Sequence, residues 1–268
     1  MTWYTWEKLT TTDLAGEAFA GAVAVLPVAS IEQHGPHLPL GTDAILTEGI
    51  LQAALTRVPD EISVLRLPTQ RIGVSIEHTS FPGTLSLPAE VVIAQWMAIG
   101  QAVAAAGIKK LVILNGHGGQ TGLVDVVATR LRADHGLTVL RATTFRLMEL
   151  DKVLEEREAR FGLHGGELET ALMMAIAPGL VRTEALEDFR STDEDMIDRF
   201  SMLEAEGAVG LGWMAEDLNI RGVTGNAAAA TPEFGRAVLG ATAERLATLI
   251  AELHGFEWDP ASRRADTP

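Results

Sequence analysis

Apolar residues along this chain fall into two recurring patterns. Short runs with little polar interruption stand at 22–28, 62–67, 111–114 and 137–140. Such runs read as strands, 22–28 as a central one covered on both faces and 111–114 as another buried one. Between them, apolar positions recur with the helical period. The segment 44–58 carries Ile45, Ile50, Leu51, Ala54 and Leu55 on one side. Residues 87–106 form a long helical pattern with Pro88 in the first turn and Gly107 just past the end. A third helix is expected to run to about Asp134, and a last one spans 232–254 with Val238, Leu239, Leu246, Leu249, Ile250 and Leu253. Shorter helices are expected over 7–20, with Leu9, Leu14 and Phe19 inward, over 145–160 and over 171–177. Strands alternating with helices predict an α/β fold, a mostly parallel sheet sandwiched between helices. No linker or low-complexity tract divides the chain, so one domain is expected over 1–268, with its core at about 20–255. Residues 183–226 read as surface, with 222–226 a turn placed to cover a site, and 258–268 as a frayed tail.

The predicted strands end in irregular loops that concentrate chemistry. The run 28–43 holds Glu32, His34, His37 and Asp43 among two Pro and two Gly. A carboxylate, an imidazole and a second carboxylate suit a borderline divalent ion such as zinc, manganese or iron. A second Gly- and Pro-bearing segment, 73–84, contains the pair Glu77-His78. The third strand stops at Asn115-Gly116-His117-Gly118-Gly119 before a helix. Strand, Gly-rich turn and helix place a side chain at the carboxyl edge of a parallel sheet, so His117 is expected at the same rim as Glu32, His34 and Asp43. A fourth segment, His164-Gly165-Gly166-Glu167-Leu168-Glu169-Thr170, opens another helix. Glu167 and Glu169, two apart, cannot share one helix face. A phosphate-cradling loop at 115–120 is disfavoured, since no Lys-Ser/Thr follows the last Gly. Ser30 and Ser75 have no sequence-adjacent base, which argues against a serine nucleophile.

Composition narrows the chemistry. The chain contains no cysteine, so any metal must be held by His and carboxylates. Its net charge of −15 argues against nucleic acid or an anionic membrane as partner. No basic region followed by an apolar core opens the chain and no apolar run is long enough to span a bilayer, so a cytoplasmic location is expected.

Taken together and in this order, Glu32-Gln33-His34-Gly35-Pro36-His37-Leu38-Pro39 with Asp43, Glu77-His78 with Phe81-Pro82-Gly83-Thr84, Asn115-Gly116-His117-Gly118-Gly119 and His164 to Thr170 resemble the creatininase (creatinine amidohydrolase) family. The resemblance covers roughly residues 20–255. It implies an α/β/α fold, two divalent metal ions (Zn, Mn or Fe), hydrolysis of a small cyclic or linear amide, and a homo-oligomer, commonly a hexamer. Carried onto this chain, Glu32 would bind one metal, His34 the other, Asp43 both, and His117 would complete the site of Glu32. Creatininase proper has Tyr-Glu after the motif His, the Glu being a ligand; here Gly118-Gly119 stand there. Glu167 is expected to replace that carboxylate, with Glu169 the fallback or a partner of a ligand His. His164 matches the proposed proton shuttle. His37 and His78 are expected to be structural or pocket-lining. No Trp lies between Trp96 and Trp213, which argues against creatinine as substrate. The family also includes a deformylase and a peptidase, and such an activity is an alternative. A phosphoester hydrolase is disfavoured by the lack of cationic residues near the motifs; a non-catalytic metal-binding relative is the remaining alternative.

Overall fold

A computed structural model describes residues 3–207 and 209–258. In chain order its main elements are β1 (Trp3–Thr5), β2 (Val23–Val28), α1 (Thr42–Leu55), β3 (Val64–Arg66), α2 (Ala89–Ala105), β4 (Lys110–Asn115), α3 (Thr121–His135) and β5 (Thr138–Thr143). They are followed by α4 (Glu156–Phe161), α5 (Glu167–Ile176), β6 (Asp188–Phe189), β7 (Gly225–Asn226) and α6 (Pro232–Gly255). The first five strands form one sheet in the order β1-β3-β2-β4-β5, every pair parallel.

The apolar runs explain this arrangement. Every residue of β2 and β4 is buried. Alternate side chains feed two cores, because successive residues of a strand face opposite sides. Val23, Val25, Val112 and Leu114 meet α1, α5 and α6 through Ile50, Leu172 and Leu246. Ala24, Leu26, Leu111 and Ile113 meet α2 and α3 through Trp96, Val103, Val127 and Leu131. Helices therefore cover both faces, as the α/β/α expectation requires. From β2 the chain goes through α1 to β3 on one side. From β4 it goes through α3 to β5 on the other. The boundary between β2 and β4 is thus a topological switch point, where the loops leaving the strands' carboxyl ends diverge and open a crevice. Register pairs Val28 with Asn115, so the two loops emerge side by side.

Several expected elements differ. The predicted helix over 7–20 is three short turns, because Thr10 and Asp13 close a capping box and Gly16 ends the helical run. The helix expected over 145–160 is interrupted, with Glu149 at φ +49°. Strand 62–67 shortens to the three residues of β3. The helix expected at 171–177 begins earlier, at Glu167. Residues 183–226 are not merely surface: Phe189 and Val223 are buried in a small cluster, and Trp213 and Glu206 reach the cavity described below. Of the tail expected to fray, 259–268 lie outside the described residues.

Candidate metal centre

Four loops at the carboxyl edge of the sheet converge. Glu32 and His34 follow β2, Glu77 and His78 lie on a turn between β3 and α2, and His117 follows β4. Asp43 sits in the first turn of α1, where the positive end of the helix dipole favours a carboxylate. His164 and Glu169 come from the turn into α5 and from its first turn.

The side chains of Glu32, His34, Asp43 and His117 are buried and mutually close. Asp43 Oδ1 stands 3.1 Å from His34 Nε2, and Asp43 Oδ2 stands 3.2 Å from His117 Nδ1. Glu32 Oε2 lies 3.2 Å from the same Nδ1. Asp43 thus links an Asp–His34 pair to a Glu32–His117 pair. Donor atoms of Glu32, Glu77 and His117 fall within 4.8 Å of one another, as do those of His34, Asp43 and Glu169, and those of Glu32, His34 and His164. Two carboxylate oxygens, Glu32 Oε1 and Asp43 Oδ2, are buried and accept no well-formed hydrogen bond; the nearest imidazole nitrogens are His78 Nε2 at 3.4 Å from the first and His117 Nδ1 at 3.2 Å from the second. Orphaned buried anionic oxygens are costly, and a cation between them removes the cost. The residues present therefore fit divalent metal.

Hydrogen bonds fix the ligand orientations. His34 Nδ1–H donates to the Glu32 carbonyl (3.1 Å), which leaves Nε2 toward Asp43. The Ser75 hydroxyl donates to Glu32 Oε2 (2.6 Å). Asn115 shapes the His117 turn by accepting the His117 N–H and donating to the His117 carbonyl. Burial alone would depress His34; Asp43, Glu169 and Glu32 together outweigh it and raise it to about 9. Burial would likewise depress His117, yet Glu32, Asp43 and Glu77 push it well above its ordinary value. Burial would raise the Glu32 carboxyl, but His117, and then His78 and His164, hold it well below the usual range.

His164 is 12% exposed and packs against two other imidazoles, stacked on His78 and tilted against His34, with ring centroids 4.2 Å from both. Its Nε2–H donates to the Gln33 carbonyl (2.7 Å), so Nδ1 is the free nitrogen, 3.7 Å from Glu32 Oε1. Burial, then His34, lowers its pKa, which favours the neutral ring. His78 Nδ1 accepts from the Gln33 side chain (2.8 Å), and burial, then His164, lowers its pKa to about 2. His37 is not among the clustered donor groups. Its Nε2–H reaches the Gly165 carbonyl (2.9 Å), its ring stacks on Phe189 and burial lowers it to about 4.

Glu167 is not brought to this centre. Its backbone N–H is held by Glu158 Oε1 (2.7 Å), and its carboxyl, raised by burial and then by Glu158, lies outside the cavity that Gly166, Leu168 and Glu169 line. Two residues apart on a helix point to nearly opposite sides, and the α5 phase turns Glu169 inward. Glu169 Oε2 also accepts the Gly165 N–H (2.6 Å), at a glycine whose φ of +68° makes the sharp entry to the helix. The sequence alone marked the Glu77-His78 pair without giving Glu77 a role, weighed Ser75 only as a nucleophile, and assigned nothing to Gln33 or Trp213. Glu77 had a readable signal, since it adjoins His78 in a Gly- and Pro-bearing segment between β3 and α2; Trp213 had none.

Above the cluster lies a cavity of about 520 Å³. Phe145, Leu163 and Trp213 supply apolar wall, while Arg146, Glu206 and Glu77 supply charge. Trp213 Nε1–H donates to Glu206 Oε1 (3.1 Å), which ties the outer wall together. Gly118 lines the floor.

An α/β/α sheet with a carboxylate–imidazole cluster at its switch point, beneath a cavity, defines a class of protein with a candidate metal-binding site at the sheet edge. The chain belongs to the creatininase family: the family model described as creatinine amidohydrolase matches residues 7–250. Among individual relatives, it is 32% identical over 170 residues to the mycofactocin precursor peptide peptidase of Mycobacterium ulcerans (strain Agy99), covering 60% of this chain and 61% of that protein. It is 29% identical over 202 residues to the creatinine amidohydrolase of Pseudomonas putida, covering 69% of this chain and 74% of that one. The mycobacterial match thus spans about three fifths of that relative's length. A solved manganese creatininase superposes with a TM-score of 0.75 at 23% identity, over 92% of this chain and 97% of that one, a likeness of fold. No helix among the described residues is long and apolar enough to cross a membrane.

Proposed function

We propose that this protein is a metal-dependent amidohydrolase that cleaves a C–N bond of a small amide. Family membership supports the reaction class. The observation that carries the reading is the pair of orphaned oxygens, Glu32 Oε1 and Asp43 Oδ2, inside a ring of carboxylates and imidazoles. In this reading Glu32 and His117 would hold one ion and His34 and Glu169 a second, with Asp43 supplying a carboxylate between the two pairs. Divalent ions in such a site supply Lewis acidity to a carbonyl and make water a competent nucleophile near pH 7. Zinc, manganese and iron all suit these donors.

The chain's own residues do the rest. The Gln33 carbonyl keeps the His164 proton on Nε2, so Nδ1 faces Glu32 with a free electron pair. His164 takes a proton at Nδ1 from the attacking water and returns it to the departing amine nitrogen, which cannot leave as an anion. His34 and His78 pack against the ring and limit its rotation. Phe145, Leu163 and Trp213 bury the apolar part of the substrate and exclude water.

The cavity volume supports a substrate larger than a single small ring, and the likeness to a peptide peptidase favours a linear amide over creatinine. The reading is completed by a single domain, a cytoplasmic location and a homo-oligomer, hexameric as the resemblance implies. The test is elemental analysis of protein reconstituted with zinc or manganese, followed by a panel of short peptides, cyclic amides and creatinine. Two ions per chain with turnover of a linear amide is the expected result. No bound ion, or turnover of phosphoesters instead, would refute the proposal.

A further inference from the structure

The turn Ile76–His78 carries a carboxylate whose place is built into the fold. His117 Nε2 faces two acceptors, the Val74 carbonyl at 3.0 Å and Glu77 Oε1 at 3.1 Å. A carbonyl oxygen only accepts, so Nε2 carries the proton and Nδ1 is the nitrogen presented to Glu32 and Asp43. Glu77 reaches this position because residue 119 is glycine. A Cβ there would lie 2.0 Å from Glu77 Oε1 and 2.8 Å from His117 Nε2. The glycine and the carboxylate are therefore one device: the space next to His117 that a side chain at 119 would fill is filled by Glu77 instead.

The supporting segment is tied down. The Val74 N–H donates to Gln120 Oε1 (3.3 Å), and Gln120 in turn donates to Asn115 Oδ1 (3.0 Å) beneath the His117 turn. Ser75 N–H donates to Ser86 Oγ (2.9 Å), while the Ser75 hydroxyl holds Glu32. The same short segment thus grips two members of the cluster, Glu32 through Ser75 and His117 through Glu77.

Resting on the metal-centre reading above, we propose that Glu77 is the positioning carboxylate of His117: beside the Val74 carbonyl, which accepts the Nε2–H, it adds a charged second acceptor that holds the ring and strengthens Nδ1 as a donor, and the glycine at 119 leaves the room for it. Outer carboxylates of this kind govern ligand orientation and basicity, and their loss typically lowers metal affinity about 10–100-fold. The effect falls on the half of the centre that contains Glu32 and His117; the half containing His34 and Glu169 is untouched.

The experiment is a Co(II) titration of the metal-free full chain, followed by visible d–d absorption and a competing chelator, on wild type, Glu77→Ala, Glu77→Gln, Gly119→Ala and Gly122→Ala. Wild type is expected to take up two ions. Glu77→Ala should weaken one of the two steps roughly 10–100-fold. Gly119→Ala, by expelling Glu77, should weaken the same step. Glu77→Gln keeps an oxygen to accept the Nε2–H, so it should restore most of the affinity. Gly122→Ala, whose Cβ would meet nothing within 4 Å, should match wild type. Two ions retained by Glu77→Ala with affinities within twofold of wild type would overturn the inference while leaving the metal centre standing. Equal damage from Gln and Ala would also overturn it, by making Glu77 a direct ligand. A wild type that binds no ion would overturn the centre itself, and this inference with it.

Discussion

Replacing Glu169 by Gln removes one negative charge from the His34–Asp43 half of the centre while preserving shape. Glu169 Oε2 accepts the Gly165 N–H at 2.6 Å, and the amide oxygen of Gln can keep that bond, so the entry to α5 survives. The donor set His34, Asp43 and Glu169 loses its second carboxylate. A bound ion stabilises the native state by RT ln(1 + [L]/Kd), about 2.7 kcal/mol at a hundredfold excess over Kd. For a chain of this size, 1 kcal/mol corresponds to about 2–4 °C in Tm. Loss of one ion should therefore shrink the metal-induced rise in Tm by roughly 5–10 °C. The assay is a thermal melt of wild type, Glu169→Gln and Glu167→Gln, each with chelator and with added zinc, alongside elemental analysis. Glu169→Gln should retain one ion per chain and show the reduced shift. Glu167→Gln should behave as wild type, because Glu167 lies outside the cavity. If Glu167→Gln loses the ion and Glu169→Gln keeps it, the assignment of the α5 carboxylates is wrong.

Three further outcomes follow from the geometry. His164→Ala should slow amide turnover by about 10²–10⁴-fold while both ions stay bound; undiminished turnover would remove His164 from the mechanism, and loss of an ion would make it a ligand. Chelator-treated protein should be most stable near pH 6.5. His34, raised to about 9, contributes stability that is present in full below pH 6.5 and lost as pH rises through 9. His37 and His78, lowered to about 4 and 2, contribute stability present above pH 6.5 and lost as pH falls toward those values. Urea midpoints that do not change between pH 6.5 and 9 would contradict the first of these. Gly235→Ala should destabilise the fold, since its Cβ would lie 1.8 Å from the Ala171 carbonyl and force α6 off α5. Overpacking of this sort costs about 1–3 kcal/mol, offset by up to about 1 kcal/mol of helix propensity; an unchanged urea midpoint would show that the helices yield freely.

Much of this architecture was legible because burial leaves a strong mark on sequence. β2 and β4 are covered on both faces and read as unbroken apolar runs, and the loops that follow them contain the cluster's Glu32, His34 and His117. Asp43 was legible from its place at a helix start. The three-residue β1 carries too few positions to show a period. Residues 145–160 look helical by composition, but the positive φ of Glu149 splits them, and nothing local announces it. The choice between Glu167 and Glu169 depends on helix phase: α5 begins four residues before the predicted start, and only that origin decides which carboxylate turns inward. Trp213 reaches the cavity across a long connection, a relationship that only tertiary structure records.

The members of the centre span positions 32 to 169, on segments joined by whole strand–helix units rather than by hairpins. Each coordinating group must await docking of elements far from it in sequence, and parallel pairing of this kind is intrinsically slow to assemble. Ions seated among them would act as cross-links in a chain with no disulfide, tying the ends of β2 and β4 to the start of α5. Such links form only once the sheet edge is complete, so they should slow unfolding far more than they speed folding.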